Sequence, residues 1–138
     1  MPRYPPPAEN SILRAVASNH EEVEMMSLLI VEDNPKMRRM LKSLVADLAS
    51  PVHECADGAE AQAVYAARRP DWVLMDIAMK DLDGISATRQ IKAAYPDAKI
   101  IIVTGYDEAE LRRAAREAGA CGYVLKENLI ELRQRLQS

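Results

Sequence analysis

Five side chains suited to metal and phosphate chemistry stand at the ends of apolar runs: Glu32 and Asp33 after LLIV, Asp76 after WVLM, Thr104 after KIIIV and Lys126 after CGYVL. Singly, each has an ordinary use, since acids suit helix N-termini, threonine suits strands and a lysine near a strand end is usually solvated. Three carboxylates gathered at adjacent strand ends are another matter, because they repel unless a cation sits among them. Donors that are all oxygen, with no His or Cys at these positions, select Mg²⁺ or another hard ion over Zn²⁺. An ammonium and a hydroxyl beside such an ion suit phosphoryl oxygens, and phosphoryl transfer relies mainly on positioning and charge neutralisation.

The elements that would position these groups alternate along the chain. The strand-length apolar runs are Leu28–Val31, Val52–Cys55, Trp72–Met75, Lys99–Val103 and Cys121–Leu125, and a helical stretch follows each. Asn34 with Pro35, Asp57 with Gly58, Asp83 with Gly84, Tyr106 to Glu108, and Asn128 mark the helix starts. In the first helix Met37, Met40, Leu41, Leu44, Val45 and Leu48 recur at helical spacing, which places the methionines in the core. Five strands that alternate with helices imply a parallel sheet with right-handed crossovers and helices on both faces. The expected fold is a flavodoxin-like, doubly wound α/β sandwich with strand order 2-1-3-4-5, WVLM and KIIIV central and VHEC at an edge. Such folds bind ligands at the carboxyl ends of the strands, where the five side chains stand.

The length of 138 residues suits one domain with a short appendage. A formal net charge of -3, with basic residues interleaved among acids, offers no field for direct nucleic-acid binding. Cys55 and Cys121 lie in no metal-ligand spacing and are expected to be buried thiols. Neither a membrane-spanning run nor a secretory pattern is present, so the expected location is the cytoplasm. Residues 1–25, with YPPPAENS and a mostly polar stretch containing His20, read as a flexible or weakly helical extension ahead of a domain over 26–138.

From Leu28 to Gln137 the chain resembles the receiver domain of two-component response regulators, most nearly the receivers of helix-turn-helix transcription regulators. The acidic pair in VEDN, LMDIAMKDLDG around Asp76, VTG at Thr104 and GYVLK ending at Lys126 carry the resemblance. It implies that Asp76 accepts a phosphoryl group from a phosphohistidine of a sensor histidine kinase or phosphotransfer protein. It further implies that Glu32, Asp33, the Asp76 carboxylate and the Ala78 backbone carbonyl hold Mg²⁺, and that Lys126 pairs with the phosphoryl oxygens. Thr104 and Tyr123 would be the switch pair, with a partly buried strand tyrosine as the alternative for Tyr123. The surface of the fourth helix, fifth strand and fifth helix would then meet an output protein or output domain, or form a dimer contact.

Four positions depart from the family pattern or bear on its rate. Lys80 replaces a usual proline and places a mobile cation near the site. Glu127 replaces another after Lys126, where a cis bond before a non-proline would cost roughly 3 to 4 kcal/mol, so a trans bond is expected. The resemblance implies that the positions of Ala78 and Tyr106 influence phosphoryl lifetime; Ala78 cannot orient the attacking water and Tyr106 would cover it, so slow autodephosphorylation is expected. A haloacid-dehalogenase-like phosphatase would need an acid at Ala78. A receiver-like module that signals without phosphorylation is the remaining alternative. The chain ends at Ser138, just after the last helix, which fits either a single-domain regulator or a receiver cut from a longer protein.

Overall fold

A computed structural model describes residues 25–138; residues 1–24 of the extension read from the sequence, His20 included, lie outside the described residues. The elements run β1 (Met26–Val31), α1 (Pro35–Leu44), β2 (Ala49–Cys55), α2 (Gly58–Arg68), β3 (Trp72–Met75), α3 (Gly84–Ala94), β4 (Ile100–Thr104), α4 (Ala109–Ala118), β5 (Gly122–Leu125) and α5 (Leu129–Gln137). The strands form one sheet in the order β2-β1-β3-β4-β5, every pairing parallel. This is the flavodoxin-like doubly wound arrangement expected from the alternation.

Strand side chains alternate between two cores. Leu29, Val31, Val73, Met75, Ile100 and Ile102 face α2, α3 and α4, whereas Leu28, Ile30, Leu74, Ile101 and Val103 face α1 and α5 through Leu41 and Leu132. Burial on both faces accounts for the nearly unbroken apolar character of β1, β3 and β4. β2 begins at Ala49, three residues before the apolar run, because an edge strand tolerates Ser50 and Pro51. β4 includes Thr104 as its last residue, so this threonine lies within the strand rather than after it.

The helix starts follow their caps. Asn34 Oδ1 accepts from the amides of Lys36 and Met37 at 2.9 and 3.1 Å, and Pro35 occupies the first turn. Asp57 and Asp83 cap α2 and α3 in the same way, through the amides of Ala59 and Ser86. Glu108 and Asn128 precede α4 and α5 without a side-chain cap bond.

Two expectations require correction. Met40 is 52 % exposed and no core residue; at 3.6 residues per turn it lies roughly 70° from the centre of the stripe made by Met37, Leu41 and Leu44. Val45 and Leu48 are buried, but from the turn that follows α1. Cys121 is exposed, because it belongs to the connection entering edge strand β5, while Cys55 is buried. Burial pushes the Cys55 thiol up to about 11, which keeps it protonated and unreactive near neutrality.

Candidate functional site

Register brings the acids together. Leu28–Val31 of β1 pairs residue by residue with Trp72–Met75 of β3, so the next residues outward, Glu32 and Asp76, are neighbours. The Asp76 amide donates to the Val31 carbonyl at 3.0 Å, extending the ladder to the acid. One carboxylate oxygen from each of Glu32, Asp33 and Asp76 lies within 4.8 Å of the others. Glu32 and Asp76 are only 2 % and 5 % exposed, while Asp33 faces solvent.

Lys126 follows β5, and its Nζ reaches Glu32 Oε1 at 3.0 Å and Asp76 Oδ1 at 3.2 Å. Beyond this ion pair Glu32 Oε1 has no hydrogen-bond partner, so the buried oxygen retains acceptor capacity. Glu32 Oε2 accepts from the Asn34 amide at 3.2 Å. Burial, reinforced by the charge of Asp76, pushes the Glu32 carboxyl up to about 7 although Lys126 opposes the shift. Burial disfavours the Lys126 ammonium, yet Glu32 and Asp76 more than offset it and hold its pKa above the usual lysine range. One cation is thus shared by two buried acids, with the solvent-facing Asp33 beside them. An oxygen-only cluster with an under-bonded buried carboxylate oxygen fits a hard divalent ion, which would be held by Glu32, Asp33 and Asp76.

The cleft above these groups, about 390 Å³, is lined by Glu32, Asp33, Asn34, Asp76, Ala78, Gly105, Tyr106 and Lys126. Lys80, predicted to place a cation near the site, is exposed and is not among the lining residues. The bond after Lys126 is trans, since the cis bond among the described residues is Ser50–Pro51, and no positive φ marks strain at Glu127. Departure from the proline pattern therefore leaves Lys126 in contact with both acids.

Thr104 is fully buried and is not among the lining residues, its Oγ1 accepting from the Tyr106 amide at 3.2 Å. Tyr123 is turned inward, and its hydroxyl donates to the Tyr106 carbonyl at 2.7 Å. Arg112 covers the Tyr123 ring, 4.6 Å from its centroid. Tyr106, 47 % exposed at the cleft, therefore links the two residues of the expected switch through its backbone.

Two residues escaped the sequence reading. Arg38 on α1 donates to the Glu32 carbonyl at 2.7 Å and pairs with Glu54 at 3.1 Å, tying the end of β1 to β2. Asp57, read only as a helix cap, also accepts from the amides of Asp81 and Leu82 in the connection after Asp76. An acid at the end of β2, on the same rim as the others, was the available signal.

A rim of acids bridged by one lysine at the carboxyl ends of a five-stranded parallel sheet has known relatives. Residues 28–137 match the response regulator receiver domain. Over 115 residues the chain is 37% identical to an uncharacterized transcriptional regulatory protein, YhcZ, of Bacillus subtilis, covering 79% of this chain and 54% of that one. It is 37% identical over 99 residues to the chemotaxis protein CheY of Halobacterium salinarum, covering 72% of this chain and 82% of the relative. The chain thus spans about half of the first relative and most of the second. Among solved structures, a two-component response regulator of the LuxR family from Aurantimonas aligns with a TM-score of 0.74 and 31% identity, covering 83% of this chain and 86% of that one. The response regulator domain of Thermotoga maritima CheB aligns with a TM-score of 0.76 and 26% identity, covering 83% and 95%. With the match extending from β1 through α5, this chain belongs to the response regulator receiver domain family, the signalling domains of two-component systems.

Proposed function

We propose that the domain accepts a phosphoryl group on Asp76 from a phosphohistidine of a sensor histidine kinase or phosphotransfer protein. The contact of the Lys126 ammonium with both Glu32 and Asp76 carries this reading, because it holds a cation where phosphoryl charge would arrive. An Asp76 carboxylate oxygen attacks phosphorus, the bond from phosphorus to the imidazole nitrogen breaks, and an acyl phosphate remains on Asp76. Mg²⁺, held by Glu32, Asp33 and Asp76 with the Ala78 carbonyl, supplies neutralisation of phosphoryl charge when bound. Lys126 shifts from the carboxylates towards the phosphoryl oxygens.

The phosphoryl group adds about 1.5 to 2 negative charges and strong acceptors, and it favours whichever conformation contacts them better. Thr104 is the hydroxyl able to turn towards them, at the cost of its bond from the Tyr106 amide. Release of Tyr106 would then weaken the inward hold on Tyr123 and alter the α4-β5-α5 surface. That surface is the proposed contact for an output protein, an output domain or a second phosphorylated copy. Relatives with transcriptional regulatory names favour an output that controls transcription, through another domain or chain rather than through DNA contacts of this one. No helix among the described residues is long and apolar enough to cross a membrane, and a cytoplasmic site of action is part of the proposal.

Incubation with Mg²⁺ and acetyl phosphate is expected to add the mass of one phosphoryl group, and Asp76→Asn to add none. No increment with either this donor or a cognate kinase would establish instead a module that signals without phosphorylation. Ala78 offers no group to orient a hydrolytic water, and Tyr106 covers part of the cleft. Autodephosphorylation is therefore expected to be slow, with Tyr106→Ala shortening the acyl phosphate lifetime several-fold in a quenched time course. A short wild-type lifetime that the substitution leaves alone would refute this role for Tyr106.

A further inference from the structure

We infer that Asp57 is a positioning residue for the site: its carboxylate anchors the connection from Ile77 to Asp83 and so sets how well the cleft holds Mg²⁺. The inference rests on the proposed function, since it concerns the same cleft.

The Asp57 side chain is buried at the carboxyl end of β2 and accepts three backbone hydrogen bonds. Oδ1 takes the amides of Ala59, at 2.8 Å, and Leu82, at 3.2 Å, whereas Oδ2 takes the amide of Asp81 at 2.8 Å. Only the first of these caps α2; the other two cross 24 and 25 residues to the connection that carries Ala78. Its start and finish are closed on each other by the Gly84 amide, which donates to the Ile77 carbonyl at 2.9 Å. Asp57 holds the stretch between. Gly58 supports the same junction independently, since a Cβ there would collide with the Leu82 carbonyl oxygen and stand 3.1 Å from Ala87 Cβ. The amides of Ala59, Asp81 and Leu82 hold the Asp57 carboxyl below its usual range, and the Lys80 ammonium adds to this.

Removal of a partner that orients a metal site typically costs about 10- to 100-fold in metal affinity. Asp57→Ala is therefore expected to weaken Mg²⁺ binding at least about tenfold by calorimetry. In metal-free protein the same substitution should accelerate hydrogen exchange at the amides of Asp81 and Leu82. Asp57→Asn is the finer variant, because its one carbonyl oxygen can keep the Ala59 and Leu82 bonds while Asp81 meets an NH₂ group. It should accelerate exchange at Asp81 alone and give intermediate Mg²⁺ affinity, and it carries the test if the alanine variant does not fold. Asp71→Ala serves as a stability control, since Asp71 bonds Ser27 at the opposite end of the sheet. Wild-type protein that binds no Mg²⁺ would overturn the proposed function and this inference with it. Wild-type binding that Asp57→Ala and Asp57→Asn leave unchanged, with melting temperature lowered as in Asp71→Ala, would overturn the inference alone and leave Asp57 a helix cap.

Discussion

Gly84→Ala is expected to destabilise the domain by about 3 kcal/mol or more, the upper end for overpacking. A Cβ at this position would collide with the Asp76 carbonyl oxygen and stand 2.8 Å from its carbonyl carbon and 2.9 Å from Met75 Cγ. The obstacle is backbone at the end of a central strand, so it cannot swing aside as a flexible side chain would. The Gly84 amide is also committed to the Ile77 carbonyl, which prevents the start of α3 from backing away. Relief must come from moving Asp76 itself, so Mg²⁺ binding should weaken together with stability. Gly105→Ala is the informative contrast, since a Cβ there meets nothing within 4 Å, and its stability should stay within about 0.5 kcal/mol of wild type. Urea denaturation of the two variants checks the expectation. A cost below about 1 kcal/mol for Gly84→Ala would show that the end of β3 yields more than close packing allows.

Lys126→Met should cost about 2 kcal/mol at pH 8 in chelator, because Glu32 and Asp76 lose the cation that both contact. Loss of one partner from a buried pair typically costs roughly 3 to 5 kcal/mol; Glu32, whose carboxyl is already pushed up to about 7, can take up a proton when the cation is lost, which lowers that figure. Added Mg²⁺ should recover much of the loss. The pH dependence of the metal-free wild type follows from the same cluster. Unfolded, Glu32 ionises near 4.5; in the fold, burial and the Asp76 charge carry it up to about 7. Between these values the folded protein keeps a proton that the unfolded chain has released, so this group lowers stability as pH rises and has no further effect above about 7. The raised Lys126 has the same sign in a higher window: its contribution is complete below the ordinary lysine value of 10.5 and is lost only as pH rises above it. The lowered carboxyls of Asp47, Glu54, Asp57 and Asp83 exert their effects below 3.8 to 4.5, outside this window. Denaturation midpoints in chelator should therefore fall between about pH 5 and 7, and Glu32→Gln should flatten the fall. A wild-type midpoint that rises across this interval would contradict the assignment.

Much of this molecule is visible in one dimension because its determinants are local. Runs such as LLIV and WVLM announce buried parallel strands, and Asn34–Pro35 and Asp83–Gly84 announce helix starts through caps that act within a few residues. Alternation of strand and helix then limits the topology, and the carboxyl-end rule collects Glu32, Asp33, Asp76 and Lys126 before any coordinate is known. Met40 was misplaced because periodicity defines a stripe but not its margin, and neighbouring helices decide which margin is covered. Cys121 was misplaced because an apolar run does not reveal where its flank emerges at an edge strand.

Residue types and spacing were enough for the α/β sandwich, the acidic rim and the receiver resemblance, since hydrophobic period, capping and charge repulsion operate on identity and order alone. Tertiary structure decided which acids share Lys126, that Lys80 stays out of the cleft lining, that Tyr106 joins Thr104 to Tyr123, and that Asp57 holds the connection after Asp76. Each of those facts is a hydrogen bond, an ion pair or a placement between segments distant in the chain or fixed by the fold's packing. Such contacts depend on register and packing to within an ångström, and a pattern of residue types carries no distance between one strand end and the next.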